Sequence, residues 1–177
     1  MLPFESRKHM ELSLKSSTSV KYTLVQIVLH WLIAALIIAQ YATSGAIVRM
    51  NQSHTLGHVS GDWDDILHKL HMRVGLLVLA LMCVRLLLRL WQGVPNALYN
   101  TALWTTKAAR LAHWAFYGLV IAQGITGAIA SYIWFPVAIV HLLLFKLLLA
   151  VIVLHIGAAL LHHFKLRDET LVRILKP

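Results

Sequence analysis

Four apolar stretches, roughly residues 24 to 46, 66 to 90, 108 to 132 and 136 to 163, run close to or beyond the ~20 residues a helix needs to cross the hydrocarbon core of a bilayer. In lipid the backbone must satisfy its own N–H and C=O groups, so segments of this kind become helices. The chain therefore reads as an all-α protein, an integral membrane four-helix bundle. Its make-up agrees: 59% of the 177 residues are hydrophobic and 13% are charged, and the mean hydropathy is +0.71, well outside the range of a soluble domain.

Residues 1–21 are polar, with Arg7, Lys8, Lys15 and Lys21 beside a Ser/Thr cluster, and read as a tail preceding a single membrane domain over 22–177. Basic residues gather in that tail, in the second connection (Arg85, Arg89, Lys107, Arg110) and near the C-terminus (Lys165, Arg167, Arg173, Lys176). In the first connection Arg49 and Lys69 stand against three aspartates. The positive-inside rule then makes both termini, and the tail, cytoplasmic. The third connection is almost absent, with Trp134, Phe135 and Pro136 turning the chain. No internal repeat or low-complexity segment is evident.

A formal net charge of +9 raises nucleic acid as a partner, but the basic residues flank apolar runs and serve topology instead. No nucleic-acid binding is expected. All seven acidic residues, Glu5, Glu11, Asp62, Asp64, Asp65, Asp168 and Glu169, lie outside the spans, which argues against a proton pump built on buried carboxylates. Cys83 is the single cysteine, so there is neither an intrachain disulfide nor a C-x-x-C-H attachment.

Four histidines lie inside the spans. His141 and His155 share the last helix fourteen residues apart, a spacing that gives a rise of ~21 Å and an angular offset of about 40°. Both imidazoles look out of one face near opposite edges of the bilayer. By depth, His30 on the first span matches His155 on the cytoplasmic side, and His71 on the second matches His141 on the far side. Paired imidazoles inside a helix bundle are ligands for haem b, so the expectation is two non-covalent haems per chain, an inner one on His30 and His155 and an outer one on His71 and His141. With both axial positions filled, such iron exchanges electrons and offers oxygen no open site. Each imidazole is expected to coordinate through Nε2 and to donate Nδ1–H to a backbone carbonyl.

Arg85 and Arg89, four apart on one helix face, are candidates for cofactor binding through haem propionates. Lys69 and Arg73 flank His71 and are candidates for the same task on the far side. His113 reads first as an interfacial polar residue, with contact to a haem propionate or a quinone as the alternative, and His68 as a substitute ligand should the second helix begin later. His54 and His58 have metal-like spacing without a second ligand pair. Lys146, near the middle of the last span, reads as a snorkelling or interhelical group.

The segments KYTLVQIVLHWLIA (from Lys21), HMRVGLLVLALMCVRLLLRL (from His71), AARLAHWAFYGLVIAQGITG (from Ala108) and LHIGAALLHHFKLRDETLVRIL (from Leu154) resemble, in order, the helix motifs of the bacterial cytochrome b561 family, the small nickel-hydrogenase-type membrane cytochromes b. The resemblance implies a four-helix bundle with two haems b on His30, His71, His141 and His155, in the bacterial inner membrane. It also implies electron exchange with quinone or a redox-protein partner, ubiquinone among them, and in some members superoxide oxidation. Two departures, Leu142 where the family often has Glu and the short turn at Trp134 to Pro136, bear on the non-cytoplasmic surface and leave the ligand set untouched.

The expected function is thus transmembrane electron transfer in a respiratory or redox chain. The alternatives are a superoxide:quinone oxidoreductase, a haem-binding membrane anchor subunit and a metal-ion transporter. A transporter would favour open, carboxylate-containing sites, which these spans lack. Gly124 and Gly127 permit close helix packing within or between chains, which is compatible with a homodimer.

Overall fold

The computed structural model describes residues 22–57, 59, 61–93, 103–166 and 172–175. The expected tail over 1–21 lies outside the described residues, as does His58. Four helices make up the fold: α1 (Leu24–Thr55), α2 (Asp62–Gln92), α3 (Leu103–Tyr132) and α4 (Ala138–Leu161). A 3-10 turn over Phe135–Val137 joins α3 to α4, a π turn over His162–Leu166 ends α4, and a second 3-10 turn covers Val172–Ile174. No strand occurs among the described residues. All four helices are long and apolar enough to cross a membrane. At 30 to 32 residues, α1, α2 and α3 reach about 45 Å, beyond the ~30 Å hydrocarbon core.

Local chemistry sets the helix ends. Thr23 and Gln26 form a reciprocal capping box at the start of α1: the Gln26 N–H donates to Thr23 Oγ1 at 3.3 Å, and the Thr23 N–H donates to Gln26 Oε1 at 3.1 Å. Helix α1 runs nine residues past the apolar stretch that predicted it. Arg49 in this extension pairs with Asp64 of α2 at 2.6 Å. Asp62, Asp64 and Asp65 place negative charge in the first turn of α2, where the helix dipole favours it. Gly93 stops α2 at a φ of 75°, its N–H donating to the Arg89 carbonyl. Pro136 sits in the first turn of the short 3-10 segment, where a missing N–H costs nothing.

Helix α1 packs on α2, α2 on α3 and α3 on α4, whereas α4 and α1 make no comparable backbone approach. Side chains bridge that gap, with Tyr41 stacked on Phe145 at 6.1 Å between ring centroids. The buried cluster is Ile33, Val78, Met82, Tyr117, Val120 and Leu148. It draws on all four helices and lies between the two histidine levels: Leu148 falls midway between His141 and His155 on α4, and Ile33 follows His30 by one turn. Most other large apolar side chains face outward, as lipid contact requires.

Candidate haem-binding site

The level of His71 and His141, the outer one in the expected topology, is built from directional hydrogen bonds. His71 of α2 has its Nδ1 3.0 Å from Thr43 Oγ1 of α1. The Thr43 hydroxyl also lies 3.0 Å from the Ala39 carbonyl and 3.1 Å from the Gln40 carbonyl. Those carbonyls can only accept, so the hydroxyl proton goes to them and its oxygen receives Nδ1–H from His71. Gln40 Nε2 donates to the His71 carbonyl at 2.8 Å. Gly75, one turn on, makes room for that carboxamide, since a Cβ there would come within 2.9 Å of Gln40 Nε2.

His141 of α4 is held in the same manner from α3. Its Nδ1 lies 3.0 Å from the Gln123 carbonyl, again an acceptor only, so Nδ1 carries the proton. Thr126 Oγ1 stands 3.4 Å from the same nitrogen while donating to the Ala122 carbonyl at 2.7 Å. Both outer histidines are therefore Nδ1–H tautomers, with Nε2 the unprotonated nitrogen. The ring of His141 lies against Gly127, where a Cβ would come within 2.9 Å of its Cε1. His71 and His141 are within electrostatic reach of one another.

The inner level is built from rings and cations. His30 of α1 meets Trp31 edge-on at 5.3 Å and lies within electrostatic reach of Arg85, His155 and His113. His155 of α4 sits between two rings of α3, His113 at 6.1 Å and Phe116 at 5.1 Å. Arg85 Nη1 donates to the Gln26 carbonyl at 2.7 Å. The Arg89 guanidinium lies over Trp114 at 5.5 Å and Tyr117 at 5.6 Å. No carboxylate pairs with either arginine among the described residues. After α4 the chain returns to this level, Trp31 Nε1 donating to the Ile174 carbonyl at 3.0 Å.

Of the six residues singled out from sequence, the fold thus brings His71 and His141 together at one level and His30, His155, Arg85 and Arg89 at the other. On the outer side, Lys69 pairs with Asp65 at 2.6 Å rather than facing inward. Gly124 and Gly127 are accounted for within the chain: Gly124 packs against Leu79 of α2, and Gly127 against His141. Lys146 is exposed.

Sequence reading missed several participants. Gln40, Thr43, Gln123 and Thr126 touch the outer histidines, and His113 adjoins His155 instead of standing as an isolated interfacial group. The signal is an internal repeat, which corrects the expectation that the chain has none. HWLIAALIIAQYAT from His30 aligns with HWAFYGLVIAQGIT from His113, with identity at His30/His113, Trp31/Trp114, Leu36/Leu119, Ile38/Ile121, Ala39/Ala122, Gln40/Gln123 and Thr43/Thr126. Odd-numbered spans run the same way through the bilayer, so the repeat puts equivalent residues of α1 and α3 at equivalent depth.

Residues 21–177 match the prokaryotic cytochrome b561 family. The chain belongs to that family. It is 28% identical to the probable superoxide oxidase CybB of Yersinia pestis, covering 88% of this chain and 96% of that one. It is 28% identical to cytochrome b561 homolog 2 of Escherichia coli (strain K12), over 90% and 94%, and 31% identical to cytochrome b562 of Cereibacter sphaeroides, over 88% and 96%. The chain is thus a multi-pass membrane cytochrome b, and its family implies haem b.

The residues fit that group. Imidazoles with a fixed Nδ1–H and a free Nε2 are suited to iron, and the glycine beside His141 leaves its ring unobstructed. One side chain must move: Gln123 Nε2 donates to His141 Nε2 at 3.1 Å, so this carboxamide has to rotate away for Nε2 to bind metal. No group of three or more His, Cys, Asp or Glu converges as a metal-ion site among the described residues.

Proposed function

We propose that the protein is a di-haem electron carrier of the bacterial inner membrane, with both termini cytoplasmic. In this reading His30 and His155 bind the inner haem, and His71 and His141 the outer. The observation that carries it is the sorting of histidines from three helices into two levels, with a packed apolar layer between them. Haem iron held by two imidazoles supplies one-electron exchange without an open coordination position.

The chain does the rest. Thr43 and the Gln123 carbonyl orient the outer imidazoles, and Phe116 with His113 confines the His155 ring. Arg85 and Arg89, without carboxylate partners among the described residues, would hold propionates by charge-assisted hydrogen bonds at the inner level. Ile33, Val78, Met82, Val120 and Leu148 keep water and protons out of the layer between, so that only electrons cross. Ubiquinone or a redox protein exchanges electrons at the bundle surface.

Purified protein is expected to give a reduced b-type spectrum with two haems per chain. His155→Ala and His71→Ala should each remove one, and different ones. Protein that takes up no haem under adequate supply, or loses both with either substitution, overturns the reading.

The name of the Yersinia relative brings a second reading, superoxide:quinone oxidation. Rapid reduction of the purified cytochrome by a superoxide-generating system, abolished by superoxide dismutase, followed by reoxidation with ubiquinone, would favour it over simple relay.

A further inference from the structure

The repeat between α1 and α3 does more than duplicate a helix. In both copies the threonine of Ile-Ala-Gln-x-x-Thr bonds back to the carbonyls three and four residues earlier: Thr43 to Gln40 and Ala39, Thr126 to Gln123 and Ala122. Such back-bonding fixes the hydroxyl rotor and turns its oxygen outward as an acceptor. Each copy then meets a histidine of a neighbouring helix at Nδ1, Thr43 meeting His71 of α2 and Gln123 with Thr126 meeting His141 of α4. Two further atoms complete the pattern. Gln40 Oε1 and Gln123 Oε1 are both buried and without a hydrogen-bond partner, so the two copies also share an unpartnered amide oxygen.

We propose that the paired Ile-Ala-Gln-x-x-Thr segments form a twofold clamp that fixes the Nδ1–H tautomer of His71 and His141 and raises their donor strength. The clamp residues are positioning residues, acting on the ligands from behind. That part which concerns haem rests on the reading given above. An Nδ1–H that donates to an oxygen gives its imidazole partial anionic character, which makes Nε2 a stronger donor and favours ferric over ferrous iron. The inner pair has ring neighbours and no side-chain hydrogen bond from His30 or His155 among the described residues, so the effect belongs to the outer level alone. Sequence supports the same division: the repeat continues down to His30 and His113 at the inner level, but only its distal end carries the Gln and Thr.

Two measurements test the clamp, one without haem and one with it. In the full chain produced without haem and held in detergent micelles, 15N spectra of the histidines should show His71 as the Nδ1–H tautomer. Thr43→Val should convert it to a tautomer mixture, and Thr43→Ser should restore it. In the haem-loaded protein, with each haem identified by its loss in His71→Ala or His155→Ala, Thr43→Val should raise the midpoint potential of the outer haem and leave the inner one in place. Thr126→Val should act in the same direction with smaller amplitude, and Thr43→Ser should return the wild-type value.

An unchanged His71 tautomer in Thr43→Val would overturn the clamp, as would equal shifts at both haems. Should Thr43→Val fail to accumulate, Thr126→Val and the serine variant carry the same decision. Wild-type protein lacking two haems would instead reject the functional reading, leaving the tautomer measurement to decide the clamp by itself.

Discussion

The outer and inner levels solve one problem, holding a pair of imidazoles still inside a membrane, by different physics. At the outer level every Nδ1 meets an oxygen at about hydrogen-bond length: Thr43 for His71 at 3.0 Å and the Gln123 carbonyl for His141 at 3.0 Å. At the inner level His155 lies against His113 and Phe116, and the neighbours of His30 include the cation Arg85 with the imidazoles of His155 and His113. The outer rings are therefore oriented by direction-sensitive bonds and fixed in tautomer. The inner rings are oriented by shape, in a field of positive charge that no carboxylate offsets among the described residues. Two basic residues near the outer level are ion-paired instead, Arg49 with Asp64 and Lys69 with Asp65. Two sites of the same ligand type in one chain thus need not have the same affinity or potential.

The contrast can be broken most severely at Gly127. A Cβ there meets the His141 ring at 2.9 Å, so on the proposed di-haem reading Gly127→Leu should abolish the outer haem while the inner one stays, with a stability loss of ~1–3 kcal/mol typical of overpacking. Haem-to-protein ratio and thermal unfolding in detergent check this. Gly118→Leu, where nothing lies within 4 Å, serves as the control and should keep both haems.

A smaller effect on haem content, confined to the inner level, is expected from Arg85→Leu. It leaves the part-buried Gln26 carbonyl without its charged donor at 2.7 Å, a loss of ~1.5–3 kcal/mol for a bond to a charged group. Slower unfolding in the wild type than in the variant, and weaker retention of the inner haem alone, are the measurable outcomes. Loss of the outer haem as well would show that the two levels are not separable.

Arg89→Ala should do less. It removes the contacts with Trp114 and Tyr117 at 5.5 and 5.6 Å, worth ~0.5–1 kcal/mol at a partly exposed site, and should shift inner-haem binding only slightly in a haem titration. Least of all is expected from Arg49→Ala. Its ion pair with Asp64 has an arginine side chain 56% exposed, and exposed pairs contribute little. Haem content and unfolding midpoint should both match the wild type.

Much of this molecule was legible in its residues. The four helices follow from hydrophobic length, and α1 and α2 exceed their apolar stretches because they continue into an ion-paired extension outside the oily span. That extension is polar, as at Arg49 to Thr55, so hydropathy could not mark it; the pairing with Asp64 did. The grouping of His141 with His71, and of His155 with His30, was legible as depth along helices of alternating direction. Gln123 was not singled out, because a lone glutamine in a span has no period and no partner until α4 is laid beside α3. Its counterpart at Gln40 would have drawn attention to it, had the repeat from His30 and His113 been aligned.

By itself, the sequence determined that the chain must cross a membrane as helices, and at which depths its imidazoles stand, because rise per residue and the cost of unbonded backbone in lipid are local properties. Tertiary structure alone decided which oxygen each Nδ1 faces, why Gly75 and Gly127 are glycines, and that His113 adjoins His155. Those facts depend on rotation of one helix against another, which side-chain packing sets and a hydropathy profile does not contain.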